Sequence, residues 1–115
     1  MMTKPFAFIT AAWPREDWAR DQVAALYCRL VYKAGYHPLC PVITEDFYTN
    51  DALPCEHRDR RDFEKELLKR SRILVVCGDK VNRGMKEDIA DAQRLHIPAV
   101  TLEGIKDASL CRSED

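Results

Sequence analysis

The chain has 115 residues, 46% of them hydrophobic and 32% charged, with a formal net charge of -1. That length suits a single domain over residues 1–115, with enough apolar material to bury a core without metal or disulfide support. The near-zero charge removes any global attraction to nucleic-acid polymers or anionic membranes.

The five cysteines, Cys28, Cys40, Cys55, Cys77 and Cys111, form no CxxC pair and are odd in number. Cys28 and Cys77 lie in apolar runs, where a thiol behaves as a small hydrophobe, so the expectation is reduced thiols in a cytoplasmic protein. The apolar run after Met1-Met2-Thr3-Lys4-Pro5 is too short for a secretory segment, and no run reaches transmembrane length.

Phe6 to Thr10 is aromatic and β-branched, which predicts a first strand, closed by the small-residue turn Ala11-Ala12-Trp13-Pro14. Glu16 to Ala34 has helical spacing, with Val23, Leu26, Leu30 and Val31 expected on the buried face, acidic residues in the first turn and Gly35 as the C-terminal stop. Tyr36 to Val42 is a second strand, which Pro38 and Pro41 assign to a sheet edge or to a short element. Ile43 to Pro54 shows no period and is expected to be a long polar loop of functional character. Glu56 to Arg70 forms a second helix with Phe63 and Leu67 facing inward. Ile73 to Cys77 is almost wholly apolar, as a strand covered on both faces requires. Gly84 to Leu95 is a third helix with Met85, Ile89, Ala92 and Leu95 at core spacing, and Pro98 to Leu102 is a fourth strand. The polar tail from Glu103 to Asp115 either holds a short helix or frays.

This alternation of strands and helices calls for an α/β three-layer sandwich around a parallel sheet of about four strands, of Rossmann or flavodoxin-like type. In such sheets ligands bind beyond the carboxyl ends of the strands. The loops that matter are therefore 10–14, 42–54 and 78–84. The stretch from Arg72 to Ala92 is the most informative: a buried strand, a polar turn, and a helix that opens near Gly84 and carries Asp88 one turn in. Free backbone N–H groups and the positive end of the helix dipole face that crevice, and Asp88 lies on the same side of the helix as Gly84.

These three loops together resemble the nucleoside 2-deoxyribosyltransferase superfamily, which includes deoxynucleoside 5'-monophosphate N-glycosidases. The segment Phe8-Ile9-Thr10-Ala11-Ala12-Trp13 is similar to the family's opening strand and its small-small-Trp turn. Asn82-x-Gly84-x-x-x-Asp88 is similar to its (Asp or Ser)-x-Gly-x-x-x-Glu signature. The resemblance runs from Phe6 to Leu102. It implies that Asp88 stands where the family has the Glu nucleophile that attacks C1' of the sugar, one methylene shorter, and that Glu64 stands where the family has an Asp engaged in proton traffic at the base. A nucleophile displaced by about 1 Å costs on the order of a hundredfold in rate, but a longer acid at 64 and a shorter one at 88 preserve their combined reach. Phe8 matches a Tyr whose hydroxyl supports the nucleophile in some members, and it has no hydroxyl to offer. Asn82 matches an Asp or Ser; it hydrogen-bonds but cannot act as a base. Glu87 points about a quarter-turn away from Asp88.

The expectation is thus an enzyme that cleaves or transfers the N-glycosidic bond of a nucleoside or nucleotide. Asp88 and Glu64 are its catalytic candidates. Phe8, Ala11, Trp13, Asn82, Gly84 and Met85 are its substrate-binding candidates. The chemistry needs no metal and no organic cofactor, and the resemblance implies a homo-oligomer, dimer or higher. The alternative is a module that binds or sequesters a nucleotide or nucleotide-derived signal without turnover; a third, plainer reading is an interaction domain with an empty crevice.

Individual residues carry plainer readings too. Asp88 suits a first helical turn for dipole reasons alone, Glu64 suits a surface ion pair, Asn82 suits an N-cap, and Trp13 suits an apolar anchor as well as a base-stacking platform. Asp46, Phe47 and Tyr48 are candidates to cover the base. His37, His57 and His96 have no metal-site spacing. The run from His57 to Asp62 reads as a solvated helix face, with phosphate contact as the lesser option.

Overall fold

The computed structural model describes residues 4–106. In chain order they form β1 (Phe6–Ala11), α1 (Asp17–Lys33), β2 (His37–Leu39), α2 (Val42–Glu45), α3 (Pro54–Lys69), β3 (Ile73–Cys77), α4 (Arg83–Arg94) and β4 (Ala99–Thr101). A further helical segment, α5, spans 102–106. The tail expectation is met by that segment as far as residue 106; the rest of it, with Cys111, lies outside the described residues.

The four strands make one all-parallel sheet in the order β2-β1-β3-β4. Ala7 to Ala11 pair in step with Ile73 to Cys77 over five residues, so β1 and β3 are the central strands. Alternate side chains leave opposite faces of a strand, and the core divides accordingly. Ala7, Ile9, Ala11, Ile73, Val75 and Cys77 point to one face, where Val31 and Ala34 of α1 and Leu102 and Ile105 of α5 cover them. Phe8 and Leu74 point to the other, under Leu68 of α3 and Ala92 of α4. The result is the expected three-layer α/β sandwich. Its topology explains the two faces. The chain steps from β1 to β2 in one direction, then back across to β3 and β4 in the other. Right-handed crossovers running in opposite directions must place their helices on opposite faces.

Both long caps follow from local chemistry. α1 ends with Gly35 at φ 102°; the Gly35 N–H donates to the Tyr32 carbonyl at 3.0 Å and the Tyr36 N–H to the Val31 carbonyl at 3.3 Å. This is the doubly bonded Schellman ending, which needs a left-handed residue. Pro54 opens α3 at the position where its missing N–H leaves nothing unpaired.

Several expectations need correction. Leu26 is 54% exposed and Phe63 43% exposed, so neither faces the core, and Leu95 is 38% exposed at the C-cap of α4. Val31 is buried and Leu30 partly so, as expected, and they are joined by Ala24, Tyr27, Cys28 and the C-cap Ala34; apolar residues surround much of this helix, and the sheet selects the stripe whose small members let α1 approach closely. β2 ends at Leu39 rather than Val42, and it does lie at an edge. Residues 43–54 are not all loop: Pro41 caps the short helix α2, whose Glu45 is 1% exposed. No described helix is long and apolar enough to cross a membrane.

Candidate functional site

The chain reverses direction between β1 and β3, so the segments leaving their carboxyl ends diverge and open a crevice between them. A cleft of ≈ 190 Å³ lies there. β1 and its turn contribute Phe8, Ile9, Thr10, Ala11 and Trp13; the start of α2 contributes Pro41 and Val42; α3 contributes Arg60, Arg61 and Glu64; the start of α4 contributes Asn82, Gly84, Met85 and Asp88. All eight catalytic and substrate-binding candidates from the sequence line this one cleft.

Asp88 projects from the second turn of α4 toward the sheet, its side chain 14% exposed. The Thr10 hydroxyl donates to Asp88 Oδ2 at 2.7 Å, and Arg61 Nη1 stands 3.5 Å from Oδ1. Burial raises the Asp88 carboxyl above its usual range; the Thr10 hydroxyl and the Arg61 guanidinium oppose that rise, while the neighbouring Glu64 adds to it. The support expected to be missing at Phe8 is therefore present two residues on, from a hydroxyl on the same face of β1. Glu87 points elsewhere, to Arg61 Nη2 at 3.1 Å and Arg83 Nε at 3.7 Å, and takes no part in the lining.

Glu64 reaches the cleft from α3, its side chain 20% exposed. Its Oε1 is 3.5 Å from Arg61 Nη1, the same nitrogen that stands 3.5 Å from Asp88 Oδ1. The two oxygens can be no further apart than twice that distance, an upper bound that leaves room for the roughly 5–5.5 Å between carboxyl groups in retaining glycoside hydrolysis. Burial pushes the Glu64 carboxyl up to about 8; the neighbouring Glu45 carboxyl pushes the same way, against Arg61 and Arg60. Glu45 itself is buried with neither oxygen accepting a hydrogen bond from a protein N–H or O–H donor. Arg60 Nη2 is 3.6 Å away, and Arg60 Nη1 also holds Asp46 at 2.9 Å. Asp46 in turn meets Arg20 of α1 at 2.7 Å, so partly buried ion pairs tie α2 to helices on both sides of the sheet.

Asn82 is the N-cap of α4, its side-chain oxygen accepting from the Met85 N–H at 2.9 Å. Asn82 also lines the cleft. The Asn82 N–H meets the Met85 sulfur at 3.5 Å, so Met85, 1% exposed, and Phe8, 3% exposed, form floor rather than contact surface. Gly84 carries no side chain where the first turn of α4 meets the cleft. Trp13 packs against the core through Tyr27, ring centroids 6.0 Å apart and tilted 53°, with part of its surface left for the cleft. Phe47 and Tyr48 are 83% and 63% exposed and do not line the cleft; Asp46 is occupied by its two arginines. His57 pairs with Asp51 at 2.7 Å.

Sequence reasoning missed Thr10 and Glu45, and it read Arg60 and Arg61 as a solvated helix face with phosphate contact as the lesser option, whereas both line the cleft. Arg61 was detectable in principle, three residues before Glu64 on one helix. Thr10 and Glu45 were not, because their partners are remote in sequence.

No curated protein matches the chain in sequence. A family model described as a domain of unknown function, DUF7768, matches residues 5–102, which take in all four strands and every residue of the cleft, and the chain belongs to that family.

Proposed function

We propose that the cleft binds a nucleoside or nucleotide and that the protein cleaves or transfers its N-glycosidic bond, as the resemblance to the 2-deoxyribosyltransferase superfamily implies. The observation that carries this reading is the meeting of two partly buried carboxyls, Asp88 and Glu64, across one guanidinium at the carboxyl ends of the central strands. Asp88 attacks C1' and forms an ester; the C1'–N bond breaks and its electron pair leaves with the base, which takes a proton from Glu64. Water or an acceptor base then attacks C1', returns its proton to Glu64 and frees Asp88. Asn82 and the first-turn amides of α4 hold the sugar or its phosphate. At ≈ 190 Å³ the cleft is smaller than the roughly 300–1,000 Å³ of drug-sized sites and suits the sugar, with the base at the open rim beside Trp13.

Incubation with deoxynucleosides and their 5'-monophosphates, with free base read by chromatography, tests the reaction. Base is expected from the wild type, and a loss of at least about a thousandfold from Asp88→Asn, which keeps the acceptor for Thr10 but removes the nucleophile.

A second reading, binding without turnover, draws on one observation: both Asp88 oxygens are already engaged, by Thr10 and by Arg61. It predicts a nucleotide-dependent rise in melting temperature with no free base. Either reading is compatible with self-association, which sedimentation velocity measures directly.

A further inference from the structure

Arg61 reaches the cleft from α3, and its two terminal nitrogens have different partners. Nη2 is anchored outside the cleft, 3.1 Å from Glu87 and 3.9 Å from Asp91. Neither of those acids lines the cleft; with Arg61 they line a separate depression between α3 and α4. Nη1 stands 3.5 Å from Asp88 Oδ1 and 3.5 Å from Glu64 Oε1. That distance exceeds a good charge-assisted hydrogen bond, so Nη1 draws both oxygens by charge and is committed to neither. Arg60, the preceding residue, is taken up by Glu45, Asp46 and Asp51 at 3.6, 2.9 and 4.0 Å. We infer that Arg61 is a positioning residue, a shared counter-ion that turns from Asp88 to Glu64 and back as negative charge passes between those two acids during glycosyl transfer. This rests on the glycosidic reading of the cleft.

That reaction keeps one negative charge on the pair of acids at every stage. Before attack Asp88 is a carboxylate and Glu64 holds a proton. Asp88 then bonds C1' and becomes a neutral ester. The C1'–N electron pair leaves with the base, the base takes the Glu64 proton, and the charge now sits on Glu64. When water attacks C1', its proton goes to Glu64, and the electron pair of the breaking ester bond restores the Asp88 carboxylate. A cation bound tightly to Asp88 would restrain the nucleophile, and one bound tightly to Glu64 would favour early loss of its proton. A guanidinium equidistant from both stabilises each charged form in turn, and a shift of about 0.7 Å brings it into close contact with either. The short contact to Asp88 comes instead from Thr10, at 2.7 Å on Oδ2, which leaves Oδ1 the freer oxygen for C1'.

The test compares wild type with Arg61→Ala and Arg61→Gln by base release and by carbon-13 NMR titration of carboxyl-labelled aspartate and glutamate. The resonances absent from Asp88→Asn and Glu64→Gln identify the two acids. In each Arg61 variant both carboxyls are expected to titrate at higher pH than in wild type, because both lose the same cation. The kcat for base release is expected to fall at least about a hundredfold, with KM changed less than about threefold. Guanidinium at millimolar concentration is expected to restore activity to Arg61→Ala at least about tenfold, and urea, a neutral molecule of similar planar shape, to restore none. A role confined to holding α3 against α4 would show neither the paired titration shift nor the preference for the charged additive. Arg61→Gln keeps much of the side chain's length and decides the matter if Arg61→Ala does not fold. A folded variant in which either carboxyl keeps its wild-type titration overturns the inference, and so does base release within about threefold of wild type. Paired shifts without base release from wild type would establish the shared cation and defeat the glycosidic reading instead.

Discussion

Thr10 follows Phe8 by two residues on β1 and so shares its face of the sheet, toward α3 and α4. Its hydroxyl, in a residue only 3% exposed, spans 78 positions of sequence to reach Asp88. A hydrogen bond to a charged acceptor contributes more than a neutral one, so Thr10→Val, which keeps the shape, is expected to cost about 1–2 kcal/mol in urea unfolding. It also has a signed effect on titration. The hydroxyl favours the ionised carboxylate, so its loss raises Asp88 further, and the acid limb of base release moves to higher pH. An unchanged acid limb in Thr10→Val would mean the contact does not govern that carboxyl. Asp88 was legible from its place one turn into the helix that follows a buried strand, and Glu64 through the family resemblance. Thr10 was not, because a threonine in an apolar strand reads equally well as core.

At the level of elements, α1 and α4 end in the same way with different residues. α4 closes with the His96 N–H donating to Gln93 at 3.2 Å and the Ile97 N–H to Ala92 at 2.8 Å, which forces His96 to φ 58°. Gly35 fills the equivalent place after α1 at no steric cost. A side chain in that conformation costs roughly 1–2 kcal/mol, partly offset by the greater freedom glycine has when unfolded. His96→Gly is therefore expected to stabilise the protein by about 0.5–1 kcal/mol, a rise of roughly 2–6 °C in Tm by calorimetry. The glycine stop was readable in the sequence and the histidine stop was not, since only the tertiary position of β4 requires the turn there. α2 was unreadable for a related reason. Four residues are too few for a periodic signal, and the helix is held by Arg20 and Arg60 acting on Asp46 and Glu45, partners on other elements.

Over the whole molecule, alternating elements foretold the parallel sheet because parallel neighbours need crossover connections. They did not foretell the strand order, since the same alternation would serve whether β3 paired with β1 or with β2. That choice fixes the direction reversal, and the reversal opens the cleft and draws two acids into partly dehydrated positions. The consequence is a pH dependence of global stability. Glu64 titrates at about 8 when folded against 4.5 when exposed. Below pH 4.5 both states hold the proton. Above it the unfolded chain releases the proton while the folded one retains it, so stability falls as pH rises, and levels off past pH 8. Asp88, also raised, acts in the same direction from a lower starting pH. A full pH unit of separation is about 1.4 kcal/mol, so the loss between pH 5 and pH 8 is of the order of 3 kcal/mol from Glu64. Glu64→Gln removes the titrating group while keeping the side chain's size, so denaturant midpoints for wild type should fall across that interval and those for Glu64→Gln should stay nearly level. Parallel slopes for the two proteins would show that the acid at position 64 is ionised in the folded state, and the cleft would then lack the proton its proposed chemistry requires.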